Sequence, residues 1–247
     1  MLRVLLMTVA FLAIIVVNAL ANILPINGQT TGEISNRLPV LFTPAGYVFS
    51  IWSVIYILLA VWIIGFWLRL KKGETPSVKI TVFFLLNAVF NISWLFLWHY
   101  EFFAWSLVAM FGYLLSLIAL YYQYDDAERK FTERLPVSIH MGWVSVATIT
   151  NISYVLTYYN WSGWGLSNEL WAVIMLTVAT ALALHIRFHH NDIPFALVFV
   201  WAFIGIAVKN NTDELLVTAS SLFLTGVILT GILLIKKKPD QRRNFQS

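Results

Sequence analysis

Ile80-Thr81-Val82-Phe83-Phe84-Leu85-Leu86-Asn87-Ala88-Val89-Phe90-Asn91-Ile92-Ser93-Trp94-Leu95-Phe96-Leu97-Trp98 contains no charged residue. Its length matches the roughly 20 apolar residues with which a helix crosses bilayer hydrocarbon at about 1.5 Å per residue. Continuous apolarity of this kind marks a spanning helix, whereas a barrel strand would alternate. Asn87, Asn91, Trp94 and Trp98 are spaced four, three and four residues apart. They therefore share one face of that helix.

Seven further runs of the same character cover residues 4–24, 47–68, 102–122, 137–159, 170–186, 193–208 and 215–235. With 60% hydrophobic and 11% charged residues, the chain lacks the polar surface of a soluble domain, and its solvent is a bilayer. The fold class expected is all-α, a polytopic transmembrane bundle of eight helices. The run at 193–208 is the shortest and carries Pro194 at its start.

The basic residues sit in short connections rather than in a stripe, which argues against nucleic acid as a partner. With the amino terminus inside and eight crossings, the inner side takes Arg3, Arg69, Lys71, Lys72, Lys79, Arg129, Lys130, Arg134, Arg187, Lys236, Lys237, Lys238, Arg242 and Arg243. The outer side takes only Arg37 and Lys209, so fourteen of the sixteen basic residues fall inside. This predicts a multi-pass protein of the cell (cytoplasmic) membrane with both termini cytoplasmic. Arg3, the apolar run after it and Ala19-Leu20-Ala21 also fit a cleaved signal peptide, although the run reaches spanning length and favours a retained helix. With no cysteine, the chain has no disulfide and no thiolate chemistry.

Inside the spans there is almost no ionisable group: His140 lies near the inner end of the fifth helix and no Asp, Glu, Lys or Arg lies near mid-membrane, which weakens a proton-coupled pump or an ion channel. Asparagine and aromatic residues take its place. Trp52 and Tyr56 stand one turn apart on the second helix. Trp143, Ala147 and Asn151 line one face of the fifth, and Asn18 and Asn22 one face of the first. Counted from the outer end, Trp52 lies about 7 Å deep, Asn18 about 9, Asn91 about 10 and Asn151 about 12, so the four share a layer. The competing structural role of such asparagines is interhelical hydrogen bonding. Trp67, Trp98, Trp105, Trp161, Trp164 and Trp171 are expected at the membrane faces, and Trp94 and Trp201 deeper. The long outer loop, 25–46, is turn-rich and is a candidate lid. His185, His189 and His190 resemble a single histidine box, too few ligands for a di-iron site, and read as interfacial polar residues. No zinc, nucleophile-elbow or phosphate-loop motif occurs.

Three blocks of this sequence resemble the TspO/MBR family, the tryptophan-rich sensory proteins or peripheral benzodiazepine receptors. Pro44, Tyr47-Val48-Phe49, Trp52 and Tyr56 are similar to that family's Pro, Trp-Val-Phe and W-x-x-x-Y second helix. Asn87, Asn91 and Trp94 look like its Q-x-x-x-N-x-x-W third helix, and Trp143, Ala147 and Asn151 like its W-x-x-x-A-x-x-x-N fifth. The resemblance covers residues 39–158, with 4–24 as first helix. It implies a five-helix bundle whose pocket, under the first loop, takes porphyrins, sterols and related ligands. Trp52, Tyr56, Asn91, Trp143 and Ala147 would face it. Tyr47 replaces the usual tryptophan, Asn87 the usual glutamine, the Phe49 to Trp52 interval is one residue shorter, and the first loop has no tryptophan.

Residues 1–160 are thus expected to form the TspO-like region, 161–236 three additional helices and 237–247 a basic cytoplasmic tail. Pro194 and Trp201 repeat the seven-residue spacing of Pro136 and Trp143, a likeness that apolar helices also reach by chance. The function expected is non-catalytic: binding or sensing a planar hydrophobic ligand, tetrapyrrole or sterol-like, with no required cofactor and with a porphyrin or haem as candidate ligand. The candidate ligand-binding residues are Trp52, Tyr56, Asn87, Asn91, Trp94, Trp143, Ala147 and Asn151, and no metal site is expected. A transporter or permease for such a ligand is the alternative, and a membrane enzyme acting on a bound tetrapyrrole the second. The expected partners are the lipid bilayer, the ligand and, at most, a second copy in a homodimer.

Overall fold

The computed structural model describes residues 1–124 and 131–235. Among them the regular elements are helical: α1 (Leu2–Ile23), α2 (Thr31–Asn36), α3 (Ile51–Leu70), α4 (Val78–His99), α5 (Phe103–Tyr121), α6 (Phe131–Tyr158), α7 (Asn168–His190), α8 (Ile193–Asn210) and α9 (Leu215–Leu234). All but the short α2 correspond, in order, to the eight expected runs. Side-chain caps fix several starts. Ser77 accepts from the Ile80 N–H, Ser167 from Leu170 and Asp192 from Phe195, each satisfying a donor that the first turn of a helix leaves unpaired.

Two boundaries differ instructively from expectation. The helix expected from residue 137 begins by Phe131, with Pro136 inside it. A proline so near a helix start removes few ladder bonds, so it need not mark the boundary. The shortest run, expected to end at 208, continues to Asn210 from an Asp192 cap with Pro194 in its first turn. Proline is suited to that position.

Packing divides the helices into two groups. α1, α4, α5, α6 and α3 touch in that order, and α3 closes back on α1, making a ring of five. α7, α8 and α9 form a triangle docked on the ring, chiefly through α8 against α6. Close approach is possible because small residues sit at the crossings. A Cβ on Gly142 of α6 would meet Val198 at 3.1 Å, and one on Gly112 of α5 would lie 2.5 Å from the Phe90 ring. In lipid such backbone approach and interhelical hydrogen bonds supply the association energy that water would otherwise drive.

Among the described residues, seven helical stretches are long and apolar enough to cross a membrane. α6 is the long helix outside that set, because it carries hydroxyls, amides and a histidine. Its position explains this composition: with ring helices on one side and α8 on another, it shows little side chain to lipid. The basic residues that are described gather as counted. Arg3 donates to the Pro76 carbonyl, Arg69 pairs with Glu133 at 2.5 Å and Arg134 reaches the His190 carbonyl, all at one end. Arg187 joins them, donating to the Ile232 carbonyl at the end of α9. Arg37 and Lys209 lie at the opposite, lid end. Arg129, Lys130, Lys236 and the tail at 237–247 fall outside the described residues.

Candidate functional site

A cavity of about 570 Å³ opens within the five-helix ring at the lid end. Its aromatic walls come from three helices. Trp52 and Tyr56, one turn apart on α3, stack with ring centroids 5.6 Å apart and planes at 22°. Trp94 and Trp98 on α4 do the same at 5.9 Å and 24°. Trp143 of α6 meets Trp52 edge-on at 6.3 Å and Phe49 at 5.7 Å. Ala147 follows Trp143 by one turn and keeps the space open, and Asn151 follows Ala147 by another.

Six of the eight expected site residues, Trp52, Tyr56, Trp94, Trp143, Ala147 and Asn151, therefore line one cavity. Asn87 and Asn91 do not. Both are fully buried. Asn91 accepts from the Asn18 amide at 2.9 Å and donates to the Tyr113 hydroxyl at 3.1 Å, which lies 2.5 Å from His140 Nε2. Only Asn18 of that chain reaches the cavity wall. Asn87 donates to Ser116 at 3.4 Å. The reason is depth. Asn87 lies about 10 Å along α4 from Trp94, and α1 covers Asn91 with Asn18. Trp98, expected at the membrane face, is instead 3% exposed and packed on Phe103 and Tyr154.

No Asp, Glu, His, Lys or Arg side chain lines the wall. Polar contact comes from Asn18, Asn22, Asn151, Ser53 and Thr150 and from the lid. Asn151 accepts from the Trp94 indole at 3.2 Å and so is held in orientation. The indole N–H groups of Trp98 and Trp143 are buried without a partner among the described residues, although both residues line the cavity. Such donors normally find an acceptor.

The lid is a built element. Thr30 and Glu33 form a capping box that starts α2, with the Thr30 N–H donating to Glu33 at 2.7 Å and the Glu33 N–H to the Thr30 hydroxyl at 3.2 Å. The Thr30 N–H foremost, and then the Thr30 hydroxyl, which donates to the same carboxylate at 2.9 Å, hold the Glu33 carboxyl below its usual pKa. Thr30, Thr31, Gly32, Ser35 and Asn36 complete the cavity wall. The turn-rich loop is legible as a lid from the sequence, whereas these lining residues are not. The Thr-x-x-Glu spacing was the signal that could have revealed the helix.

Each half of the lid is clamped by a different part of the bundle. His99, at the end of α4, sits 3.0 Å from the Ile26 carbonyl through Nδ1 and 2.9 Å from the Thr31 hydroxyl through Nε2. A carbonyl only accepts, so Nδ1 carries the proton and Nε2 accepts from Thr31. Arg37 pairs with Glu101 at 2.7 Å, which raises the guanidinium pKa. The return half rests on α8. The Ala45 N–H donates to the Gly205 carbonyl at 3.0 Å, the Trp201 indole to the Val48 carbonyl at 3.0 Å and the Asn210 amide to the Leu41 carbonyl at 2.9 Å. No spacing or motif in α8 marks it as the support of this loop.

A family model described as TSPO-like protein matches residues 4–234, a stretch that includes α7 to α9 as well as the five-helix ring. No curated protein and no solved structure matches the chain.

Proposed function

Because the chain belongs to the TSPO-like protein family and is a multi-pass membrane protein, we propose that it binds a planar hydrophobic ligand in the lidded cavity and acts as a sensor without catalysing a reaction. The observation that carries this reading is the paired aromatic wall: Trp52 with Tyr56 on α3, and Trp94 with Trp98 on α4. Flat rings gain most from offset or edge contacts with other rings. The cavity volume lies in the range of small-molecule sites, which are mostly apolar with a few directed polar groups. A tetrapyrrole is the ligand class favoured, since its flat ring matches the paired aromatic wall and its polar edge groups would meet the lid.

The neutral wall argues against a charged group held deep inside. A carboxylate would stay at the mouth. There Lys209 donates to Asn36, itself a wall residue, at 3.3 Å. We assign catalysis no part, because the wall presents no Asp, Glu, His, Lys or Cys side chain as acid, base or nucleophile.

Binding of protoporphyrin IX, read by quenching of tryptophan fluorescence in lipid nanodiscs, tests the proposal. Saturable binding at one equivalent without flux in proteoliposomes is the expected result. Binding coupled to flux would make the protein a transporter, and no binding of any tetrapyrrole or sterol would end the ligand assignment.

A further inference from the structure

Beyond the ring the chain builds a second cavity of about 330 Å³, also at the lid end, between the lid return, the end of α6 and the start of α7. We propose that it is a separate binding site for an uncharged, hydroxyl-bearing amphiphile of the alkyl-glycoside class. The proposal does not depend on what occupies the first cavity.

α6 contributes a second stripe. Ser153, Leu156 and Thr157 follow one another at helical spacing and line this cavity, and Asn160, just past the helix end at φ 52°, lines it too. At about 100° per residue the first three lie roughly a third of a turn from the stripe of Trp143, Ala147 and Asn151. One helix thus forms a wall of each cavity. The lid loop is shared in the same way: Val40, Leu41 and Phe42 face the second cavity, and Pro44 and Gly46 the first.

The chemistry of the wall selects the ligand. No ionisable side chain lines it, so neither an anion nor a cation would find compensation there. The hydroxyls of Ser153 and Thr157 donate to the Ile149 and Ser153 carbonyls, which leaves their oxygens free to accept. Asn160 adds an amide able both to donate and to accept. Opposite stand the indoles of Trp161 and Trp171, 4.8 Å apart and tilted. Trp171 is fixed by its N–H to the Gly163 carbonyl at 2.8 Å, and Gly163 holds a left-handed turn at φ 61° in which a Cβ would come within 2.9 Å of that nitrogen. With its N–H engaged, Trp171 offers a ring face, while Leu156 and Met175 supply apolar surface. Acceptors, an amide and aromatic faces around a neutral space match a ring that carries hydroxyls on its edges and an apolar tail. The ring would come from a lipid headgroup or from a free glycoside.

The test uses the full chain in phosphatidylcholine nanodiscs with methyl β-glucoside and octyl β-glucoside, read by saturation-transfer NMR. Saturable transfer to octyl β-glucoside alone indicates a lipid source, and transfer to both shows that the free sugar also binds. Thr157→Val with Asn160→Leu should weaken binding by about tenfold, the loss expected for two hydrogen bonds, whereas Thr177→Val on the exposed face of α7 should leave it unchanged. Should the double variant fail to fold, Met175→Trp, which fills the space from α7, should abolish the signal. Absence of saturable transfer from either glucoside overturns the proposal. So does undiminished binding in a folded double variant or in Met175→Trp.

Discussion

The Asn18 amide donates to the Asn91 side-chain oxygen over 2.9 Å, and of the two residues only Asn18 reaches the cavity wall. Asn91→Ala should therefore act on stability rather than on affinity. It removes bonds to Asn18 and Tyr113, each worth on average about 0.6 kcal/mol in a membrane, and leaves both partners buried. A lowered unfolding temperature with porphyrin affinity within about twofold is the expected pair of results.

Trp52→Ala should behave in the opposite way. It deletes one member of a stacked pair on the wall, and an aromatic contact of about 1 kcal/mol corresponds to a roughly fivefold loss of porphyrin affinity. Trp164, 79% exposed, is the control, and its alanine variant should quench like the parent on titration. Equal affinities for the Trp52 and Trp164 variants would remove Trp52 from the site.

Gly205 of α8 lies against the lid return so closely that a Cβ would fall 2.1 Å from Val48 Cγ2 and 3.2 Å from Pro44. Gly205→Leu should push the entry to α3 outward and destabilise the protein by about 1–3 kcal/mol, as overpacking does. Gly226→Leu, with nothing near its Cβ, should be tolerated. Thermal unfolding of the two variants side by side makes the comparison. A tolerated Gly205→Leu would mean that α8 does not clamp the loop.

The Glu33 carboxylate accepts from the Thr30 N–H and hydroxyl, and its pKa is lowered from 4.5. A group whose folded pKa is depressed stabilises the folded form above its unfolded pKa and loses that contribution as pH falls through the folded value. The start of α2 should therefore hold from neutral pH to about pH 5 and loosen below 4.5. NMR of labelled lid residues would show the transition, and Glu33→Gln should remove its pH dependence.

Lys209→Met should weaken binding of protoporphyrin IX several-fold while sparing its dimethyl ester, because only the acid carries a charge for the mouth of the cavity. Fluorescence titration with both forms decides the point. For topology, a reporter inserted near Lys72 should read as cytoplasmic and one near Gly163 as external. The reverse assignment would place the lid inside the cell.

Sequence alone determined the eight long helices, their order and the division of the described basic residues between the two ends. The physical reason is that lipid imposes its demands locally. A spanning helix must be apolar over about 20 residues wherever it packs, and charge is tolerated only near the ends. The stripe of Trp143, Ala147 and Asn151 was legible too, because helical spacing needs no partner to be read. What the asparagines touch was decided by tertiary structure. Asn87, Asn91 and Trp94 share a face of α4, yet Trp94 meets the cavity, Asn91 meets Asn18 and Tyr113, and Asn87 meets Ser116. Angle around a helix is encoded in spacing, whereas the neighbour at each depth is set by other helices. For the same reason α8 read only as a further span. Its hold on the lid runs through the Gly205 carbonyl, the Trp201 indole and the Asn210 amide, and these acquire partners only once α8 has docked on α6, more than 150 residues in sequence from the loop it secures.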